Sequence, residues 1–320
     1  VFERIAYGVA ILVVALAATA QPYPSRPVKL IIPYPPGGGT DVLGRAIAQE
    51  LGRTWSQSVV VENRAGAGGM IGTDAVAKSA PDGYTIVQAT MAANAVAPSL
   101  YAKVPYDSER DFNYVAPIGR QASVLLANTK VPVTTFAELV AYAKGNKGKA
   151  TYSGPGIGLS GHLGMEMILR AASMPALHVP YKGSAPASQA MAAGETDMTL
   201  DLVSTGLAYV QSGRARALAV TGEARASQFP DTPNFRELGY PDLVIYTWQG
   251  LAVPAGTPRD VVQKLHRDVQ AAKQAPELRE RLQRLGIEVF DATPEAFAEY
   301  VRTESKRWGD LVRNLGIKAE

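Results

Sequence analysis

Between Val28 and Gly222 the chain alternates short apolar runs with segments of helical period. VKLII (28–32) is an unbroken apolar run of buried-strand length, and beyond a Pro/Gly turn Leu43, Ile47 and Leu51 share one helical face. VVVEN (59–63), TIVQA (85–89), VLLAN (124–128), ATYS (150–153), LHVPY (177–181), DMTLDL (197–202) and ALAVTG (217–222) read as further strands. Thr135 and Glu138 have capping-box spacing, and Gly145 marks the end of that helix. Residues 186–193 read as a short helix stopped by Gly194. The alternation predicts α/β architecture with mostly parallel sheets. After YTWQGLAVPAGTP (246–258) the pattern becomes helical and charged over 259–285 and 294–315, with Pro294 suited to a first turn.

No internal repeat or flexible linker separates the halves. Two lobes joined by crossing strands account for this, with crossings near 118–126 and 245–252 and the C-terminal helices returning to the first lobe. The expected division is 21–122 with 247–320 as the first lobe and 123–246 as the second. Ahead of them, AYGVAILVVALAA (6–18) follows Arg4 and leads into Ala18-Thr19-Ala20. That is the pattern of a signal peptide over 1–20, too short for an ordinary membrane span, with a mature chain from Gln21 and export as its consequence.

Composition narrows the chemistry. The 320 residues are 47% hydrophobic, enough to build two cores, and the net charge is +3. Lys and Arg are scattered, with no basic stripe, so a nucleic-acid partner is not expected. The absence of cysteine excludes disulfides, thiolate metal sites, a Cys nucleophile and a lipidated Cys. No cluster has metal-ligand spacing, and no cofactor is expected.

Two glycine-rich loops remain as candidate chemistry. The first is Pro33-Tyr34-Pro35-Pro36-Gly37-Gly38-Gly39-Thr40-Asp41; the second is Ser153-Gly154-Pro155-Gly156-Ile157-Gly158-Leu159-Ser160-Gly161-His162. Each joins the end of a strand to the start of a helix, the edge where open α/β sheets bind ligands. Free N–H groups and the helix dipole favour an anion there, and glycine permits close approach. Two such loops facing one cleft suit a dianion without any Arg or Lys; as plain tight turns they would bind nothing.

A nucleotide is a poor fit. Gly156, Gly158 and Gly161 match G-x-G-x-x-G, but the next strand, 177–181, lacks the ribose-binding acid, and the first loop lacks a G-K-[ST] ending. An enzyme is no better supported. Ser160 and His162 are two apart at a helix start and point different ways, and no G-x-S-x-G elbow is present. His162 reads as a group holding its loop, and His266 as solvated. Asp41 suits a helix cap, and Asp201, followed by Ser204 and Thr205, suits either the cleft or a cap. ENRAGAGG (62–69) reads as a structural turn in which Arg64 ties down backbone. Met91, Ala92 and Asn94 border the cleft or, for Asn94, cap a helix.

Taken together, RPVKLIIPYPPGGGTDVLGR (26–45), VVVENRAGAGGMIGTDAVAKSAPDGYTI (59–86), GIGLSGHLGMEM (156–167), HVPYKGSAPASQAMAAGETDM (178–198) and GRARALAVTGEARASQFPDTPNFRELGYP (213–241) resemble the tripartite tricarboxylate transporter receptor family, the Bug proteins. The resemblance implies a type II periplasmic binding fold: two Rossmann-like lobes that close by a hinge over a small carboxylate. It implies a periplasmic, monomeric receptor without catalysis, handing its ligand to membrane permease subunits. Carried over, Pro36, Gly37, Gly38, Gly39, Thr40 and Asp41 cradle one carboxylate, Ser153, Gly156, Gly158, Leu159 and Ser160 with His162 the other, and Asp201 and Thr205 line the second lobe. The chain departs from the family pattern at Leu159, where Ser or Thr is usual, and at Gly154, where Ser is common. Fewer hydroxyls, with Leu159 and Tyr34 as apolar surface, favour an acid with an apolar or aromatic body over citrate.

Overall fold

The computed structural model describes residues 23–146, 149–156, 158–181 and 183–318, so the expected signal peptide lies outside the described residues. The strands are β1 (Val28–Ile32), β2 (Val59–Asn63), β3 (Thr85–Thr90), β4 (Phe112–Asn128), β5 (Thr151–Gly154), β6 (Leu177–Pro180), β7 (Met198–Leu202), β8 (Ala215–Val220), β9 (Tyr246–Pro254) and β10 (Ile287–Glu288). The helices are α1 (Gly39–Trp55), α2 (Met70–Ala77), α3 (Ala97–Leu100), α4 (Phe136–Gly145), α5 (Ser160–Ala171), α6 (Ser184–Ala193), α7 (Val203–Gln211), α8 (Arg259–Lys273), α9 (Pro276–Arg284) and α10 (Pro294–Leu315).

The strand order is β2-β1-β3-β9-β4-β7-β5-β6, with β8 and β10 also paired to β4. Within each βα unit the strands are parallel, β1 with β2 and β3, and β5 with β6 and β7. The expectation of mostly parallel sheets needs correction, because every pairing of β4 and β9 is antiparallel. A chain that crosses between lobes must run back against itself. The crossing strand β4 is 17 residues long and spans roughly 55 Å if fully extended. Its first half, with Pro117 inside it, lacks a strand signature in sequence; the register with β9 shifts between Tyr114 and Ala116 and again between Pro117 and Gly119.

The apolar run of β1 follows from burial on both faces. Val28, Leu30 and Ile32 pack with Leu43, Ile47 and Leu51 of α1 and Leu265 and Val269 of α8. Ile31 turns to the opposite core, with Met70, Trp248, Phe297, Val301 and Trp308. Two further cores surround Tyr152, Met165 and Leu200 on one side, and Val124, Met191 and Val203 on the other. Thr135 and Glu138 form the capping box of α4, as their spacing predicts. The helix expected over 259–285 is two helices, α8 and α9, because Pro276 supplies no N–H and its ring disfavours helix at Ala275. Helix α6 begins at Ser184, ahead of Pro186, which its first turn accepts. Among the described residues no helix is long and apolar enough to cross a membrane.

Candidate ligand cleft

The first loop is held from behind. Asp41 lies in the first turn of α1 and is buried; its Oδ2 accepts the Gly37 N–H at 3.0 Å and its Oδ1 accepts Asn63 Nδ2 at 2.8 Å. Arg45 Nε donates to the same carboxylate at 3.0 Å, and its Nη2 donates to Asn63 Oδ1 at 2.9 Å. Asn63 Nδ2 also reaches Tyr34 O at 3.0 Å. Burial raises the Asp41 carboxyl, but Arg45, the Gly37 N–H and Asn63 outweigh it and hold it at about 2. Asp41 therefore serves as an internal brace, and Arg45 is committed to it.

In front, Pro36, Gly37, Gly38 and Gly39 are exposed and Thr40 is half-buried. Gly37 has φ 87°, a backbone only glycine adopts cheaply. Gly38 occupies the N-cap with no capping side chain, so the first N–H groups of α1 keep free valence. The Tyr34 hydroxyl is drawn inward to Gly68 O at 3.1 Å and Thr90 Oγ1 at 3.2 Å, and burial pushes it up to about 12. Gln88 Nε2 on β3 donates to Thr40 O at 3.1 Å and to Gln249 Oε1 on β9 at 2.6 Å, which couples the loop to a crossing strand.

The second loop opens α5 in the same way. Leu159 is the N-cap, with no side-chain cap, and Leu159 and Ser160 are both half-buried. Gly156 and Gly158 have φ 108° and 77°. Among the described residues the Ser153 hydroxyl is buried without a hydrogen-bond partner. His162 is buried and its Nδ1 accepts the Gly158 N–H at 3.0 Å. Its imidazole is a loop-holding group, and the Gly158 N–H is spoken for in this arrangement. A Cβ at Gly158 would fall 2.0 Å from Leu100 Cδ2 of α3, so the second loop packs closely against α3.

Other expectations resolve in different ways. Asp201 is buried; its Oδ2 accepts Ser188 Oγ at 2.6 Å and its Oδ1 accepts the Leu202 N–H at 2.8 Å, while burial raises its carboxyl above the usual range. Thr205 is exposed and donates to Leu202 O at 3.1 Å. Asn94 is buried, accepting the Thr90 N–H at 3.0 Å and donating to Tyr114 Oη at 3.3 Å. Arg64 does not tie down backbone: its guanidinium pairs with Glu62, two residues away on the same strand end. His266 is half-buried, and its Nδ1 donates to Val115 O at 3.0 Å, because α8 packs against β4. Sequence reasoning missed Asn63, Gln88, His178 and Leu100. The ENR stretch was the available signal for Asn63; the other three lie on separate elements and meet the loops only in the fold.

The family model for the tripartite tricarboxylate transporter family receptor matches residues 43–317. BugT of Bordetella pertussis is 36% identical over 306 residues, covering 95% of this chain and 94% of that protein. Rpa4515 of R. palustris, solved with adipate, superposes with a TM-score of 0.84 at 32% identity, covering 92% of this chain and 99% of that one. MatC of Rhodopseudomonas palustris, solved with bound malate, gives 0.80 at 30% identity, covering 91% and 100%. The paired glycine loops, the crossing strands and these likenesses together place the chain in the tripartite tricarboxylate transporter receptor family.

Proposed function

We propose that this protein is a periplasmic receptor that captures a small carboxylate between its lobes, does no chemistry on it, and delivers it to tripartite transporter permease subunits. One observation carries this reading. The first turns of α1 and α5 both start at glycine loops without side-chain caps, and Arg45, one turn into α1, is turned to Asp41. Backbone N–H groups are thus the donors offered to an anion, each charge-assisted bond contributing about 1.5–3 kcal/mol. Adipate and malate, the ligands in the related structures, are dicarboxylates. The proposed lobes are 21–122 with 247–320, and 123–246. The proposed contacts are the N–H groups of Gly38, Gly39 and Thr40, with Pro36 and Gly37 shaping the turn, and Gly156, Leu159, Ser160 and the Ser153 hydroxyl on the second loop, while Tyr34, Asp41, His162 and Asp201 shape the walls from behind. Half-buried Leu159 favours an acid with an apolar or aromatic body over citrate.

A thermal-shift panel of linear dicarboxylates, aromatic acids, citrate, amino acids and nucleotides tests this. A ligand at a hundred times its Kd stabilises by about 2.7 kcal/mol, which raises Tm by roughly two degrees or more at this size. A response confined to carboxylates supports the reading. A response to nucleotides alone, or turnover of any bound compound, overturns it.

A further inference from the structure

The second glycine loop is gripped at both ends by two stacked imidazoles. His162 on α5 and His178 on β6 lie with ring centroids 4.2 Å apart and planes at 21°, and Tyr152 of β5 stacks on His178 at 4.8 Å and 16°. His162 Nδ1 accepts the Gly158 N–H, which fixes the tautomer with hydrogen on Nε2. His178 Nε2 is buried without a hydrogen-bond partner among the described residues. It lies 2.3 Å from the place a Cβ would take on Gly154, so no side chain fits there. The pair therefore contacts the loop at Gly154 and at Gly158.

We propose that the His162–His178 stack is a clamp on the second glycine loop, and that protonating it releases the Gly158 N–H and weakens ligand binding at acid pH. The inference rests on the reading that this loop holds the ligand. A protonated His162 carries hydrogen on both ring nitrogens and has no lone pair for Gly158, so that bond is lost and N–H faces N–H. Stacked imidazoles at this distance also cannot both accept charge without mutual repulsion. The surrounding groups do not cancel the effect. Tyr152 of β5 spends its hydroxyl on Glu166 Oε1 of α5 at 2.5 Å, which leaves Glu166 as the carboxylate acting on the pair. Asp201 of β7 is bound to Ser188 of α6. Burial holds both histidines below the usual range, His178 at about 4 with help from His162. His178 thus joins His162 as a positioning residue that acts through the loop.

The experiment uses the mature chain labelled with ¹⁵N. With 3 histidines in the sequence, long-range ¹H–¹⁵N spectra resolve each ring. His162 should show an unprotonated, hydrogen-bonded Nδ1 at pH 7.5. On acidification the Gly158 amide should shift and lose exchange protection along the His162 curve. His162→Asn places Oδ1 near the Nδ1 position and does not titrate, so its Gly158 amide should be indifferent to pH. Adipate and malate then serve as calorimetric probes at pH 7.5 and 5.0. Wild type should lose about three- to tenfold more affinity over that interval than His162→Asn, the worth of one such hydrogen bond. His162→Leu should be weak at both pH values, and His162→Asn should recover most of that loss. A Gly158 amide that ignores His162, the opposite tautomer, or equal losses in wild type and His162→Asn would each overturn the clamp. If neither acid binds at pH 7.5, the ligand reading fails for these probes, while the spectra still decide whether the clamp exists.

Discussion

Gly158 of the second loop and Leu100 at the end of α3 are in close contact, with only 2.0 Å between Leu100 Cδ2 and the place a Cβ on Gly158 would occupy. The same glycine has φ 77°. Gly158→Ala therefore meets two obstacles, left-handed backbone strain of about 1–2 kcal/mol and a clash with the buried Leu100 side chain, which must move. Its affinity for a carboxylate should fall at least tenfold by calorimetry. Gly39→Ala is the contrast: space is open around it and its φ is not positive, so its stability should stay within about 0.5 kcal/mol of wild type in urea unfolding.

Asn63 touches Tyr34 O, Asp41 Oδ1 and Arg45 Nη2, so it braces the first loop from the end of β2. Asn63→Ala should cost about 1–3 kcal/mol in urea unfolding and also weaken binding, without touching the ligand. Asn63→Asp should cost more, since a second carboxylate would face Asp41. Equal stability of the three proteins would remove the brace from the account.

Lys273 is fully buried in α8, with Nζ donating to Pro117 O at 3.1 Å, Phe290 O at 3.1 Å and Asp291 Oδ1 at 2.7 Å. It pins the segment after β10 to the crossing strand. Burial lowers its pKa while Asp291 partly restores it. Lys273→Met leaves two carbonyls without their donor and should destabilise by about 2–4 kcal/mol. Asp291→Asn should cost under about 1 kcal/mol, because that side chain is 62% exposed. Chemical denaturation of both variants separates the two contributions.

Stability should rise with pH between about 4 and 6.5 through the buried His162 and half-buried His178 imidazoles. Their folded pKa values lie below the unfolded value, His178 at about 4, so in that window the unfolded chain binds more protons. The contribution is complete above the unfolded value and is lost as pH falls toward the folded one. After allowance for partial solvent screening, about 2 kcal/mol is expected. His178→Phe keeps a flat ring against His162 and should flatten the urea-unfolding profile between pH 4.5 and 6.5 relative to wild type.

Much of this arrangement was legible in local pattern. The apolar run of β1, the α1 stripe of Leu43, Ile47 and Leu51 and the Thr135–Glu138 cap are signals carried within a few residues, and each appears as read. So is the placement of both glycine loops between a strand and a helix. The early half of β4 escaped because Pro117 and two register shifts mask its period, and its pairing with β9 joins residues far apart in sequence. Asp41 was legible as a residue at a helix start, and Arg45 stands four residues on in the same helix, yet the bond from Asn63 depends on β2 lying beside β1. The His162–His178 stack was invisible for the same reason, since β5 and β6 must pair before the two rings meet.

The way β4 and β9 join the halves also sets an order of events. The core beneath α1 combines Val28, Leu30 and Leu43 with Leu251, Leu265 and Leu282, so its two contributors come from opposite ends of the polypeptide. The core around Tyr152, Met165 and Leu200 draws on one continuous stretch. A chain emerging from its N-terminus can therefore assemble the Tyr152 core while the β1 region still waits for its partners. Until β9 and the C-terminal helices arrive, the β2-β1-β3 sheet has an uncovered apolar face and an unpaired β3 edge, which invite association with other chains. Loss of the last helices should accordingly leave a protein that aggregates through its beginning.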